Sequence, residues 1–379
     1  MDGYFIGLMS GTSLDAADAA LIEFKTAAAP RILATHGLPA PAALRRELLA
    51  CTQPHATIAL HRLGTVNQLL ADWFADAAVA TMHAAGVAAD DIRAIGSHGQ
   101  TVWHAPAAQH PFSLQLGAGS RIAARTGCTV VTDFRNSDMA IGGQGAPLAP
   151  AFHHHLFASA RQSRIVINIG GFANLTILPA GAQANPALVS GLDTGPGNAL
   201  MDDWIDRHLG QRMDTNGEWA ASGHVHEPLL TGMLDDPYLR RPAPKSTGRE
   251  YFHAGWLQQH LAALTEPPTA TDVQATLCEF TARSIALGVD ACGPGREDIL
   301  ICGGGAHNAL LMARLRALLA PRTVTTTAAY GMDVDWVEAA AFAWLAQRRL
   351  AGLPGNIPSV TGARGAAVLG AVYLPPVPP

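Results

Sequence analysis

The chain has 379 residues, 49% of them hydrophobic and 15% charged, with 25 Lys+Arg against 30 Asp+Glu. That apolar fraction fills two domain-sized cores and excludes a disordered chain, while a formal net charge of -5 offers no basic field to nucleic acid or anionic lipid. Thirty-eight glycines exceed the usual share of roughly 7% and are the feature to place.

Residues 4–8 and 16–24 are apolar runs around a small, polar turn, a strand–turn–strand pattern. Leucine spacing predicts helices over 41–50 and 57–85, the second closed by Gly86. Residues 92–96 form the next strand and lead into Ser97-His98-Gly99-Gln100. Residues 114–133 read as strand or loop, a helix around 122–125 and a strand at 129–132. An irregular Gly/Pro-rich segment over 134–150 suits a domain boundary. Residues 164–169, Gly170-Gly171 and 174–178 then repeat the opening pattern, an internal echo. After a mixed helical and Pro-rich stretch, the spacing predicts a helix over 270–290, a strand at 299–302, three glycines, a helix over 308–319 and a last helix over 336–350. Alternating strands and helices with glycine turns at strand ends indicate an α/β architecture.

No apolar stretch approaches the roughly 18–20 residues of a spanning helix, and Met1-Asp2-Gly3-Tyr4 carries no basic leader. The five cysteines are scattered and never form a CxxC pair, so neither a disulfide framework nor a thiolate zinc site is expected. A cytoplasmic protein without membrane or nucleic-acid partners is the expectation.

Four segments carry chemistry. In Ser10-Gly11-Thr12-Ser13-Leu14-Asp15-Ala16-Ala17-Asp18, Gly11 lets backbone N–H groups approach phosphate, and Thr12 and Ser13 add hydroxyl donors. Asp15 and Asp18 either order a magnesium-bound water or cap the turn; a hydroxyl-rich hairpin without a ligand is the even alternative. Asn168-Ile169-Gly170-Gly171-Phe172-Ala173-Asn174 repeats that hairpin, as a duplicated fold offering one loop per half to a nucleotide requires. Cys302-Gly303-Gly304-Gly305-Ala306-His307-Asn308 ends a strand in three glycines before a helix whose N-terminus offers unpaired N–H groups; the alternative is a tight crossover. Asp193-Thr194-Gly195-Pro196-Gly197-Asn198 places an acid before a turn, as a cap or as a general base. Neither GxxxxGK[ST] nor a properly placed GxGxxG is found, so phosphate binding uses another scheme.

Other residues divide between function and structure. Adjacent members of His153-His154-His155 point about 100° apart on a helix and read as surface or helix-end histidines. His98 and Gln100 follow a strand, where sites in α/β sheets form, with His104 nearby and with a structural histidine equally open. Trp103 is a sugar-stacking face or core. Arg135 and Asp138, beside the glycines at 142–145, suit a carboxylate and sugar hydroxyls, or else a solvated salt pair. Lys245 reads as functional or as a surface residue of a Pro-rich loop.

These strings carry a resemblance. GLMSGTSLD (7–15), IGSHGQT (95–101), GGQGAPL (142–148), NIGGFANLT (168–176), DTGPGN (193–198), PKSTGRE (244–250), CGGGAHN (302–308) and FAWLA (342–346) resemble the anhydro-N-acetylmuramic acid kinase family, collinearly along the chain. The resemblance implies a two-domain α/β fold of the actin-like ATPase, or ribonuclease H-like, type, with mixed sheets flanked by helices and a central ATP cleft. We expect domain I over 1–133 plus 355–379 and domain II over 134–354. The implied reaction is ATP-dependent opening of 1,6-anhydro-N-acetylmuramic acid with phosphorylation at O6, giving N-acetylmuramic acid 6-phosphate in cell-wall recycling, with ATP and Mg2+ and a homodimeric enzyme. A kinase of the same fold for another sugar is the alternative, since fold does not fix substrate.

By the same resemblance Asp193 is the base for water and Glu338 a second acid at the sugar. Gly11, Thr12, Ser13, Leu14, Asp15, Ala16, Ala17 and Asp18 match the family's first ATP segment; Asn168, Gly170 and Gly171 match its second phosphate loop. Gly303, Gly304 and Gly305 match its adenosine loop. His98, Gln100, Arg135, Asp138, Gly195 and Asn198 are expected at the substrate, with Asp15 and Asp18 as the metal-ordering acids. Position 16 carries alanine where the family usually has glycine.

Overall fold

A computed structural model describes residues 1–11, 14–26, 28–52, 56–243, 245–293 and 295–377. Thr12 and Ser13 of the first hairpin, and Pro244, lie outside the described residues. In chain order the strands are β1 (Gly3–Met9), β2 (Ala16–Phe24), β3 (Arg31–Pro39), β4 (Ile92–Ser97), β5 (Gln100–Ala105), β6 (Phe112–Leu116), β7 (Val130–Thr132), β8 (Arg164–Ile169), β9 (Phe172–Leu178), β10 (Ser190–Pro196), β11 (Asp298–Cys302), β12 (Val324–Thr326) and β13 (Ala371–Tyr373).

The chain forms two compact units, 1–152 with 336–379, and 153–335. The division falls inside the helix Ala149–Phe157 and ahead of the helix Val337–Leu350. The expected boundaries at 133/134 and 354/355 thus cut the chain elsewhere. Two sets of contacts explain the difference. The glycine segment after Met139 is bonded to residues near the C-terminus, with Gln144 N donating to Thr361 O at 2.8 Å and Arg364 N to Ile141 O at 3.1 Å. The helix Val337–Leu350 packs on β1 and β4, which carries Glu338 into the first unit.

The first unit is built on a sheet of order β13-β7-β4-β1-β2-β3. β1, β2 and β3 run antiparallel, whereas β4 is parallel to β1 and β7 to β4. Alternation along β1 sends Ile6 and Leu8 into a core with Leu70 and Phe74 of the helix Leu60–Ala85, while Gly7 faces the opposite way. A Cβ on Gly7 would stand 1.6 Å from Ala339 O, and one on Gly96, its register partner on β4, 1.9 Å from Phe342 O. Two glycines and the alanines at 339, 343 and 346 therefore let the helix Val337–Leu350 lie directly on the sheet.

The second unit carries a sheet of order β10-β9-β8-β11-β12. β8, β9 and β10 run antiparallel, and β11 and β12 follow parallel. Strand order and direction thus repeat those of β3-β2-β1-β4-β7, which gives the sequence echo a structural basis. Ile165, Ile167 and Ile169 of β8 join Leu277 and Phe280 of the helix Ala270–Asp290 in a separate core.

Candidate active site

In the second unit Asp193 lies within β10 rather than ahead of a turn. Its register partner on β9 is Asn174, but Gly195 already pairs with Ala173, so Thr194 is an extra residue and the strand bulges. Bulges re-aim side chains. The Asp193 carboxylate accepts from Thr247 N at 3.0 Å; its backbone N–H donates to Lys245 O at 3.0 Å, and its carbonyl accepts from Tyr238 OH at 2.9 Å. Burial pushes the carboxyl up to about 6 from 3.8, helped by Glu250 and opposed by the Thr247 N–H and Lys245. Such an acid is ionised at neutral pH yet basic enough to take a proton from water. Lys245 is not a free surface cation. Its Nζ donates to the carbonyls of Tyr238 at 3.2 Å and Leu239 at 3.0 Å, and lies 4.8 Å from the Tyr238 ring centre.

The glycine segments of this unit converge. Asn198 N donates to Gly170 O at 2.8 Å and Gly197 N to Gly171 O at 2.9 Å, which joins the 193–198 segment to the β8–β9 hairpin. Gly303, at φ +81°, would place a Cβ 2.5 Å from Asn168 Oδ1, and a Cβ on Gly305 would stand 2.3 Å from Ile169 Cγ2. Asn168, Gly170, Gly171, Asn198, Gly303, Gly304 and Gly305 are thereby brought together. Gly303 and Gly305 owe their identity to packing against β8. Around Gly170 and Gly304 the Cβ position is open, with the nearest atoms 3.7 and 3.9 Å away.

One expectation for this unit changes. Gly304 and Gly305 belong to a short turn, Gly304–His307, that precedes the helix Ala309–Leu318, and Asn308 caps that helix by accepting from Leu311 N at 3.0 Å. The helix N-terminus is thus partly satisfied by the chain itself. Gly195 is buried, sits at φ +147° in the bulge and faces Leu239 and Ser284.

A cavity of about 270 Å³ that was not anticipated opens among the helices Glu218–Ala221, Ala270–Asp290 and Ala309–Leu318. Ala220, Ala275 and Leu310 give it apolar walls, and Arg283 and Arg314 give it guanidiniums. Both arginines bond to buried Glu279, Arg283 at 2.8 Å and Arg314 through two nitrogens at 2.7 and 2.9 Å. Burial raises the Glu279 carboxyl, but these bonds more than offset that and hold it below its ordinary value. The i,i+4 spacing of Glu279 and Arg283 was the only trace of this arrangement in the sequence.

In the first unit candidate side chains gather at the carboxyl ends of the parallel neighbours β1 and β4. His98 follows β4, is 5% exposed and packs its ring 4.7 Å from that of Phe342. Arg135 Nε donates to His98 Nε2 at 2.9 Å and Nη1 to Gly145 O at 2.9 Å, leaving Nη2 without a protein acceptor among the described residues. Burial, and then the Arg135 charge, drive the His98 pKa well below its usual value, so the imidazole is neutral with its proton on Nδ1. Burial lowers Arg135 to about 10 and raises Glu338, each shift opposed by the other's charge. Ser10 Oγ, Ser97 Oγ, His98 Nδ1 and Gln100 Oε1 are buried without a hydrogen-bond partner among the described residues. Orphaned polar groups at strand ends are what a polar ligand satisfies. Ser97 is not legible as a site residue in the sequence, because a serine ending a strand carries no distinctive pattern.

Asp138 stands apart from this group. It is fully buried, and both carboxylate oxygens accept protein donors, Oδ1 from Asn356 and Thr361 and Oδ2 from Gly145 N. Buried and engaged by three protein donors, the Asp138 carboxylate is not presented to a sugar hydroxyl. In the first hairpin the side chains of Leu14, at φ +56°, and Ala17 enter the core, leaving only their backbone to a ligand. Ala16 pairs with Pro39, exposed Asp15 lies 3.6 Å from Arg45, and Asp18 pairs with Met9 and Gly37. Among the described residues no group of three His, Cys, Asp or Glu side chains converges as a metal site. Trp103 is neither core nor an enclosed stacking face, being 45% exposed on β5. His153 is not on the surface. It is 1% exposed, bonds Thr176 at 2.9 Å and is lowered by burial to about 4.

None of the described helices is long and apolar enough to cross a membrane. Among solved structures, the activator of the 2-hydroxyisocaproyl-CoA dehydratase from Clostridium difficile with bound ADPNP is similar at 12% identity, over 90% of this chain and 92% of that one, with a TM-score of 0.45. A ROK family glucokinase from Streptomyces griseus, in complex with glucose and AMPPNP, is similar at 16% identity over 90% and 99%, with a TM-score of 0.39. The ROK hexokinase from Thermus thermophilus is similar at 15% identity over 91% and 99%, with a TM-score of 0.38. The family model for anhydro-N-acetylmuramic acid kinase matches residues 3–375, and this chain belongs to that family of kinases.

Proposed function

We propose that the protein adds water to C1 of 1,6-anhydro-N-acetylmuramic acid and transfers the γ-phosphoryl group of MgATP to O6, giving N-acetylmuramic acid 6-phosphate and ADP. Membership of the family supports the substrate pair, and the observation that carries the chemistry is Asp193, bulged out of β10 and raised to about 6. In this reading Asp193 takes the proton of the attacking water as the new bond to C1 forms. The C1–O6 bond breaks, O6 attacks the γ-phosphorus, and ADP leaves. General-base assistance of this kind contributes roughly 10²–10⁴-fold.

Arg135 holds the lactyl carboxylate through its free Nη2 edge, a charge-assisted contact suited to a guanidinium. Glu338 accepts from a sugar hydroxyl, while Ser10, Ser97, His98 and Gln100 gain the partners they lack. Gly170, Gly171 and the first hairpin take the phosphates. The cavity flanked by Arg283 and Arg314 takes the adenine, because a planar base stacks on guanidinium planes against apolar walls. Asp18 would hold the Mg2+ that accompanies ATP, and the ion would supply charge neutralisation at the phosphates. A cytoplasmic homodimer belongs to the same proposal.

Coupled ADP release with 1,6-anhydro-N-acetylmuramic acid, N-acetylmuramic acid and glucose tests the reading. We expect turnover with the anhydro sugar above all; turnover with glucose but none with the anhydro sugar would overturn it.

A further inference from the structure

We propose that Asp138 is a positioning residue for the acceptor: through Gly145 it fixes the guanidinium of Arg135, and through Asn356 and Thr361 it ties that placement to the C-terminal segment. The inference rests on the assignment of Arg135 to the acceptor's carboxylate.

Arg135 and Asp138 lie three residues apart on the short helix Phe134–Met139, so their side chains share a face. Both reach the same residue. Gly145 N donates to Asp138 Oδ2 at 2.9 Å, and Gly145 O accepts from Arg135 Nη1 at 2.9 Å. Gly145 sits at φ +70°, where a side chain is strained, and a Cβ there would stand 2.8 Å from Met139 Cγ. The neighbouring Gly143 has no room for a side chain either, since its Cβ would be 2.0 Å from Asp138 Oδ2. The loop is thus wrapped on the carboxylate, and the carbonyl that aims Arg135 has little freedom.

The other carboxylate oxygen is held from far along the chain. Asn356 Nδ2 donates to Oδ1 at 2.7 Å and Thr361 Oγ1 at 2.8 Å. Asn356 is itself fixed, its Oδ1 accepting from Ala367 N at 2.8 Å. All three donors to Asp138 are neutral, and no ion pair forms on it among the described residues. A buried carboxylate without a counter-ion is costly to keep. Here it supplies what an uncharged side chain of that size does not, two oxygens that accept from three converging donors.

The test compares calorimetric Kd values for 1,6-anhydro-N-acetylmuramic acid and for 1,6-anhydro-N-acetylglucosamine, which lacks the lactyl carboxylate, alongside KM for ATP. The full chain and its Asp138→Asn, Thr361→Val, Thr361→Ser and Arg135→Ala variants are used. We expect Asp138→Asn to weaken binding of the carboxylate-bearing sugar about tenfold relative to its analogue, Thr361→Val to do so by about threefold and Thr361→Ser to retain parent behaviour, with KM for ATP unchanged within about twofold. Parallel losses for both sugars and ATP, following a lower melting temperature, would reduce Asp138 to a merely structural role. If Arg135→Ala abolishes discrimination between the sugars while Asp138→Asn and Thr361→Val leave it at the parent value, the positioning role fails alone. If Arg135→Ala leaves discrimination intact, the assignment of Arg135 fails and the proposal with it. Should Asp138→Asn not fold, the two Thr361 variants decide the matter.

Discussion

Asp193 must be ionised to accept a proton, and burial has moved its carboxyl from 3.8 to about 6. On the proposed mechanism kcat/KM therefore climbs through an acid limb near pH 6 and levels above it. Glu250 raises Asp193, so Glu250→Gln should move that limb to lower pH; a pH–rate profile with an unmoved limb would remove Asp193 as its source. The sign for stability is opposite. A carboxyl whose folded pKa lies above its unfolded value binds its proton more tightly when folded, so its contribution is present below about pH 3.8 and lost as pH rises through about 6. Asp193→Asn removes the buried charge and keeps an acceptor for Thr247 N. We expect turnover to fall by about 10² or more with no loss of melting temperature at pH 8. A variant with parental turnover would end the role of Asp193 as base, and one that melts well below the parent would show that the charge serves the fold.

Glycine explains how the elements reach their places, and more through packing than through ligand access. Gly7 and Gly96 let the helix Val337–Leu350 touch the sheet, and that helix presents Glu338 in its first turn and Phe342 against His98. Gly96→Ala pushes a methyl into Phe342 O, a backbone atom that cannot rotate away. We expect a loss of about 1–3 kcal/mol in urea unfolding, the usual scale of overpacking, with weakened acceptor binding as the helix lifts. Unchanged stability would mean that the helix is held elsewhere. The strongly apolar strands β1, β2, β8 and β11 were legible in the sequence, as were the helices with clear leucine spacing. β3 was missed because it is an edge strand whose residues are mostly half-exposed, so it carries little alternation. β10 was missed because Ser190–Pro196 contains two glycines and a proline and reads as a turn; pairing with β9 makes it a strand. Asp193 was legible as an acid in a telling string, whereas the bulge that aims it depends on register with β9, which no local pattern encodes. Arg135 and Asp138 both suit a substrate by residue type, and only burial separates the one with a free edge from the one held behind it.

Across the whole molecule the same five-strand order occurs twice, and each copy has its own core. A hairpin joins the first two strands of each copy, β1–β2 in one and β8–β9 in the other. The proposed ligand assignments sort by unit as well: Arg135, Glu338 and the orphaned polar atoms of Ser10, Ser97, His98 and Gln100 lie in the first, and the cavity proposed for adenine, Gly170, Gly171 and Gly303–305 in the second. Hydrogen exchange can test that division without relying on turnover, since a ligand slows exchange where it contacts or orders the backbone. A non-hydrolysable MgATP analogue alone should slow exchange over 169–172, 220–223 and 303–306 in the second unit and in the first hairpin after Met9. The anhydro sugar alone should protect 97–100 and 142–145, the loop that carries the Gly145 carbonyl. Protection at 142–145 should weaken in Thr361→Val, because Thr361 reaches that loop through both Asp138 and Gln144 N. Nucleotide protection that spares 220–223 would remove adenine from the cavity, and sugar protection that spares 142–145 would detach Arg135 from the acceptor.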